Sequence, residues 1–241
     1  MEILHEAFDF NATLLFIDKI LASDGEHIKK FSHVPKQEEI GELECFISTC
    51  SVVYVKLRVN AKSDSTKNGK TVSFRQRECF YRIVTKVLQE HPSCVDFMIH
   101  DDEVVCIVDT PYKTDIHLLF EELAKVNSML SILNQKSQQA GLVPLLWGIG
   151  AHYGDSFVSV QHYHEGQPRL TWDGYAYNYA FFLCEKALDN NERPIVTSKV
   201  FFDNLKEEYK QMMREEKDNI YSANVINRPI MDWQTENLEK K

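Results

Sequence analysis

The segment Gly148-Ile149-Gly150-Ala151-His152-Tyr153-Gly154 closes a run of strand-forming residues that starts at Val143. A β-strand is therefore predicted over 143–152, and a second strand over 157–162 is predicted to pair with it. The short interval between them indicates a tight antiparallel connection. Because neighbouring parallel strands need a long crossover, a purely parallel sheet is excluded.

Strands and helices alternate before this segment. A β-branched run predicts a strand over 50–59, and apolar residues at helical spacing predict a helix over 74–90 that His91-Pro92 ends. Strands over 95–99 and 104–109 are joined by the short polar run His100-Asp101-Asp102-Glu103, which is typical of a hairpin. A long apolar stripe then predicts a helix over 114–138.

The elements after the segment complete an α+β pattern. The predicted elements are a helix over 175–188, a strand over 195–197, a charged helix over 205–218 and a strand over 221–226. We expect a mixed, mostly antiparallel sheet, ferredoxin-like at its centre, with helices packed on one face.

Three regions are expected along the chain. Residues 1–47 form an N-terminal helix, over 9–22, and a polar arm; residues 48–226 form the main domain, and 227–241 a C-terminal tail.

Bulk composition narrows the class of protein. The chain has 241 residues, 44% of them hydrophobic, and a net charge of −9, so a uniformly basic nucleic-acid surface is not expected. Its apolar stretches are shorter than the ~18 residues that a membrane span needs. The start of the sequence is acidic and unlike a secretion signal, and the six cysteines form no C-x-x-C pair. We therefore expect reduced thiols and a cytoplasmic location.

Four segments resemble the catalytic domain of the class III nucleotidyl cyclases. They are 51–58, similar to the family's first strand; 99–104, similar to its carboxylate hairpin; 148–154, similar to its G-I-G-x-H-x-G strand; and 172–180, similar to its G-x-x-V-N-x-A turn and helix. The resemblance covers roughly 48–226 and implies a dimer whose sites lie between two chains and bind a nucleoside triphosphate. The early end of the chain also resembles bacterial Pycsar antiphage cyclases, which make cyclic pyrimidine nucleotides.

The family's chemistry implies two Mg²⁺ or Mn²⁺ ions held by two carboxylates, because hard cations prefer oxygen ligands. Asp102 matches the second carboxylate. The position of the first is occupied by Lys56, whose ammonium cannot ligate a metal but can contact phosphate. Asp18 and Asp64 are alternative sources of the missing carboxylate, although the spacing around Asp18 favours a helix.

The remaining family positions are partly matched. Asn178 matches the asparagine that orients the ribose. Phe182 stands where the family has a phosphate-binding arginine, and its ring is expected to pack in the core. Met98 and Thr171 stand at the adenine-selecting positions, so ATP specificity is not supported. Lys62, in the polar loop 60–71, is a further candidate phosphate contact, with a solvated loop as the alternative.

Aromatic and histidine side chains near these segments allow other interpretations. Three aromatic residues could stack on a base, pack in the core or form dimer contacts: Trp172, Tyr175 and Tyr177. Three histidines suggest a metal, but only two of them share a strand face, so surface or hairpin positions are expected: His152, His162 and His164.

The leading hypothesis is a cyclase-homology domain that forms a homodimer, or a dimer with a paralogous cyclase subunit, and binds a nucleoside triphosphate with impaired or absent cyclase activity. An active pyrimidine cyclase that makes cyclic CMP or cyclic UMP in antiphage signalling is one alternative. A non-catalytic interaction scaffold is the other.

Overall fold

A mixed β-sheet forms the centre of the computed structural model, which describes residues 8–22, 28–36, 39–40, 45–59, 67–161, 169–190 and 192–238. The strands are β1 (Lys30–Phe31), β2 (Cys45–Val59), β3 (Cys94–His100), β4 (Glu103–Val108), β5 (Leu145–Gln161), β6 (Arg169–Asp173), β7 (Ile195–Ser198), β8 (Arg214–Glu215) and β9 (Ile220–Ala223). The helices are α1 (Phe10–Ala22), α2 (Lys67–Leu88), α3 (Lys113–Gln139), α4 (Tyr175–Asp189), α5 (Lys199–Asp203), α6 (Glu207–Lys210) and α7 (Arg228–Leu238).

The strand order is β3-β4-β2-β5-β7-β9-β8, with β1 paired to β2 and β6 paired to β5. The long strands β2 and β5 pair antiparallel along their length, from Cys45 opposite Ser159 to Val59 opposite Leu145. The pairings of β1 with β2 and of β5 with β7 are parallel. The predicted fold class, a mostly antiparallel mixed sheet in an α+β arrangement, is confirmed.

Helices cover both faces of the sheet, so the expectation of helices on one face is wrong. Val53, Val55 and Leu57 of β2 pack in one core with residues of α2 and α3. Val52 and Tyr54 lie in a second core with residues of α4. The physical reason is that consecutive residues of β2 are apolar and buried, which is typical of a strand covered on both sides.

The strand pair predicted over 143–162 is instead the single strand β5. It stays extended through Gly154 and Asp155 because β2 is long enough to pair with it throughout. The Asp155 carboxylate accepts a hydrogen bond from Thr49 at 2.7 Å and pairs with Lys30 at 2.5 Å, which fastens this part of β5 to β2 and β1. The antiparallel hairpin partner of 157–161 is β6, a strand that the sequence analysis missed.

The charged helix predicted over 205–218 is also wrong. Helix α6 spans only Glu207–Lys210, and β8 follows after Met213. Asp218 and Asn219 adopt left-handed φ values of 64° and 57°, a conformation that Asp and Asn tolerate better than most residues, so no regular helix runs through the end of this segment.

The segment 227–241, expected to be a tail, contains helix α7. This helix packs against α3, where Gln234 donates a hydrogen bond to Gln135 at 2.6 Å. At the other end of the chain, α1 confirms the predicted N-terminal helix. Among the described helices, none is both long and apolar enough to span a membrane.

Candidate functional site

The β3–β4 hairpin places Asp102 beside the end of β2. Asp101 adopts a left-handed φ of 46° at the turn, and the Asp102 carbonyl accepts a hydrogen bond from the Leu57 amide at 2.8 Å. Lys56 lies opposite Glu103 in the antiparallel register of β2 and β4. The structure therefore brings together Lys56 and Asp102, which the sequence analysis matched to the two metal positions.

Lys56 is held by two carboxylates. Its ammonium lies 2.7 Å from Glu103 on β4 and 2.9 Å from Glu185 on α4. Burial works to lower the pKa of Lys56, but the two carboxylates outweigh it and hold that pKa above its usual range. Two carboxylates of the same chain therefore neutralise the charge of Lys56, so its ammonium attracts a phosphate group less strongly.

Asp102 is half-buried beside these charges. Burial raises the pKa of the Asp102 carboxyl above its usual value, and the positive charges of Lys56 and Arg77 oppose that change. In the part of the chain that the structure describes, no three His, Cys, Asp or Glu side chains are grouped so that they could hold a metal ion. Asp102 with Lys56 beside it does not fit a site for two divalent ions, because an ammonium repels them.

Helix α4 lies close over β5 because the strand presents glycines there. A Cβ atom on Gly150 would lie 2.3 Å from the Ala180 carbonyl oxygen and the Cys184 amide nitrogen. A Cβ on Gly148 would lie 2.7 Å from the Cys184 carbonyl oxygen. The glycines of the 148–154 segment thus allow the close packing that positions α4 and its side chains.

Asn178 is exposed on the first turn of α4, where its backbone N–H donates a hydrogen bond to the Gly174 carbonyl at 3.1 Å. One turn later, Phe182 is 39% exposed, so the expectation that its ring packs in the core is wrong. The ring instead stacks on Tyr179, with centroids 5.6 Å apart, and Lys186 lies over it. A surface aromatic face therefore occupies the position that the resemblance assigns to an arginine.

Met98 and Thr171 lie on neighbouring segments. The indole of Trp172 donates to Asp96 at 3.0 Å, which ties β6 to β3. Met98 receives a weak contact from the Tyr177 hydroxyl at 3.9 Å, whereas Thr171 is exposed on β6. The region that the resemblance assigns to base selection is therefore lined by sulfur, hydroxyl and aromatic groups.

The aromatic candidates divide into packed and exposed rings. Trp172 is buried and Tyr177 packs against Tyr54 at 5.2 Å, so both belong to the core around α4. Tyr175 is 67% exposed and stacks on Tyr179, with centroids 5.3 Å apart and planes 13° apart. Tyr175 is the one of the three predicted stacking residues that presents a large free ring face.

His152 is buried, contrary to the expected surface or hairpin position. Its ring lies edge-on to Tyr175 and Tyr179, at 5.6 and 5.0 Å, and burial lowers its pKa to about 4. Asp18 lies on α1, as its helical spacing predicted. Four other candidates lie outside the described residues: Lys62, Asp64, His162 and His164.

Sequence reasoning missed the acidic partners of Lys56. Glu185 occurs four residues after Phe181 and eight after Tyr177, which places it on the face of α4 turned toward β2. A lysine in a strand that is buried on both faces needs a negatively charged partner. This requirement could have predicted that acidic side chains lie near Lys56.

Comparison with known proteins supports the resemblance. A scan against protein-family models finds no match. A uridylate cyclase from Treponema porcinum is 23% identical over 232 residues, which cover 94% of this chain and 80% of that protein.

Solved structures of cyclases share the architecture. The guanylyl cyclase Cya2 superposes with a TM-score of 0.59 at 14% identity, over 76% of this chain and 95% of that one. A class III adenylyl cyclase-like ATP-binding protein from Pseudomonas aeruginosa gives 0.62 at 12% identity, over 98% of this chain and 50% of that one. With the motif segments above, these likenesses identify the chain as having the fold of a divergent class III nucleotidyl cyclase domain.

Proposed function

We propose that this chain is a dimeric, nucleoside-triphosphate-binding cyclase homologue with little or no cyclase activity of its own. The observation that carries the proposal is the position of Lys56, whose ammonium lies 2.7 Å from Glu103 where the resembling family holds its first metal carboxylate. Cyclisation requires activation of the ribose 3′-hydroxyl and neutralisation of the phosphates, and an ion-paired ammonium performs neither task.

Two further features support binding without efficient catalysis. Asn178 is exposed on α4, and its amide can both donate to and accept from a ribose. Phe182 provides no hydrogen-bond donor for phosphate, and loss of one such donor typically costs ~10²-fold or more in rate. The similar protein from Pseudomonas aeruginosa, described as ATP-binding, shows that the fold also occurs in a nucleotide-binding protein.

A dimer partner determines what the site can do. In the resembling family each site takes groups from two chains, so a homodimer of this chain lacks both the first carboxylate and the arginine at every site. A paralogous subunit with intact carboxylates would form one site that includes Asn178 and lacks only the arginine. We therefore propose a homodimer or a regulatory pairing with an active paralogue.

Calorimetry with non-hydrolysable analogues of the four nucleoside triphosphates tests the binding part of the proposal. We expect at least one analogue to bind and Asn178→Ala to weaken it, with Asn237→Ala on α7 as a control far from α4. Asp102 remains the predicted metal ligand, so Asp102→Ala is expected to remove any Mn²⁺-dependent part of the affinity. If no analogue binds, the interaction-scaffold alternative is favoured.

The similarity to a uridylate cyclase across 94% of this chain favours one other function, an active pyrimidine cyclase. Its place in antiphage signalling rests on the resemblance to the Pycsar cyclases alone. Met98 and Thr171, in place of the adenine-selecting pair, are compatible with a pyrimidine base. This alternative requires a carboxylate from elsewhere, such as Asp64. Mn²⁺-dependent formation of cyclic UMP or cyclic CMP by the wild-type chain distinguishes it from the leading proposal.

A further inference from the structure

The Lys56 ammonium joins three elements of the fold. Lys56 lies on β2, and its nitrogen contacts Glu103 of β4 at 2.7 Å and Glu185 of α4 at 2.9 Å. The side chains of Lys56 and Glu103 are only 21% and 19% exposed. Exposed ion pairs contribute little to stability, but partial burial reduces solvent screening and strengthens this arrangement.

Glu185 is the second carboxylate at the Lys56 ammonium. Its buried Oε1 atom lies 2.9 Å from the Lys56 nitrogen. Arg58 approaches Glu185 only to 3.9 Å and lies closer to Asp189, at 3.6 Å. Glu185 therefore presents a carboxylate oxygen that needs a nearby cation, as the oxygen ligands of divalent ions do.

We propose that the Lys56 ammonium takes the place of the divalent ion that a carboxylate at this position would hold in the resembling family, and that it holds α4 against β2 and β4. The carboxylates of Glu103 and Glu185 stay in place because the ammonium neutralises them. If the ammonium is removed, the half-buried carboxylates of Glu103 and Glu185 face each other without a cation. A hard divalent cation can then bind between them. This proposal rests on the same assignment of Lys56 to a metal position as the proposed function, but its test uses the free protein without nucleotide, so the two can fail separately.

Mn²⁺ binding to Lys56→Met tests this inference, measured without nucleotide by the electron paramagnetic resonance signal of free Mn²⁺. We expect Lys56→Met to bind Mn²⁺ at least about tenfold more tightly than wild type, and Mn²⁺ to raise its melting temperature. Adding Glu185→Gln should abolish the gain. Lys199→Met is the matched control, because Lys199 forms an exposed ion pair with Asp203 at 2.7 Å and should change nothing.

The experiment remains decisive if Lys56→Met does not fold in the absence of metal. Recovery of its native circular dichroism on addition of Mn²⁺ would then support the proposal. A folded variant with the Mn²⁺ affinity of wild type would overturn the proposal. So would an unfolded variant that Mn²⁺ does not restore.

Discussion

Lys56 and Phe182 replace the carboxylate and the arginine that the resembling family uses for catalysis. The two side chains have different surroundings in the structure. Lys56 is enclosed by carboxylates, whereas Phe182 is 39% exposed on α4. A surface ring can be exchanged for a guanidinium at low cost in stability, because the charged group stays in water. Substitution at both positions is therefore a realistic test of the missing chemistry.

Lys56→Asp combined with Phe182→Arg is expected to produce measurable cyclic nucleotide where wild type produces little or none. Each substitution supplies a group whose absence slows catalysis by at least ~10²-fold, although the two effects need not add. Mass spectrometry of the reaction products measures the outcome. The matched control is Lys56→Asp combined with Phe182→Lys. Lysine restores the positive charge but lacks the planar guanidinium that binds phosphate through two hydrogen bonds. A folded, dimeric double variant without product would argue against the assigned roles of these positions.

The burial of His152 should make the free energy of unfolding depend on pH. Burial lowers its pKa to about 4, whereas an unfolded histidine titrates near about 6.5. In the interval between these values the unfolded state binds more protons, so the free energy of unfolding falls as the pH falls.

From about pH 7 to about pH 4.5, wild type should lose roughly 2 kcal/mol more than His152→Phe, whose neutral ring does not titrate. Urea denaturation at the two pH values measures the difference, which isolates His152 from the acidic groups that both proteins share. His100→Gln, at an exposed position, serves as control. Equal losses in wild type and His152→Phe would contradict the assignment.

At the scale of elements, the contact between α4 and β5 organises the candidate site. Gly148 and Gly150 let α4 approach the strand. The helix residues nearest to these glycines are Ala180, Cys184 and Leu188. This contact orients Asn178 and Phe182 outward and Glu185 toward Lys56. Widening it should disturb the whole site and not only local packing.

Gly150→Ala is expected to destabilise the fold by about 3 kcal/mol, because its Cβ would lie 2.3 Å from backbone atoms of α4. Gly141→Ala is the control: it has open space around it and a left-handed φ of 71°, so it should cost only about 1 kcal/mol. Chemical denaturation compares the two variants. Equal costs would show that α4 does not depend on close contact with β5.

Local sequence patterns predicted the central elements well and the periphery poorly. The β3–β4 hairpin and helices α3 and α4 followed from apolar periodicity and from short polar joints, which are local signals. The continuity of β5 was missed because it depends on pairing with β2, a tertiary effect. Segment 205–218 lacks a consistent apolar face, so its charged residues gave no reliable period.

The elements that carry the candidate residues were predicted from the sequence, whereas the roles of these residues stay predictions. Lys56, Asp102 and Asn178 lie on β2, in the β3–β4 turn and on α4, as the motifs indicated. The motifs could not show that Glu103 and Glu185 converge on Lys56, because this requires the register of β2 with β4 and the placement of α4 over the sheet. The same long-range geometry buries His152 and leaves Phe182 exposed.

At the scale of the whole molecule, an exposed aromatic face on α4 supports the proposed dimer. Tyr175 is 67% exposed and Phe181 and Phe182 are each 39% exposed, so large rings lie beside the site that a partner chain would complete. Aromatic residues are enriched in protein interfaces, where they bury much area.

Light scattering is expected to give twice the mass of the chain for wild type and a lower mass for Tyr175→Asp with Phe182→Asp. A charge at the centre of an apolar interface is costly to desolvate, which favours dissociation. Phe74→Asp is the control, because Phe74 is 61% exposed on α2, which packs on the opposite face of the sheet. A monomeric wild type, or equal effects of both changes, would argue against a dimer formed through α4.

The proposed lack of cyclase activity is tested most directly by an assay of purified wild-type protein with Mn²⁺ and each of ATP, GTP, CTP and UTP, with cyclic products identified by mass spectrometry. We expect little or no cyclic product from any of them, because each site of a homodimer would have an ion-paired ammonium in place of a metal carboxylate and a phenyl ring in place of an arginine. Robust formation of a cyclic nucleotide, above all cyclic UMP or cyclic CMP, would contradict the proposal.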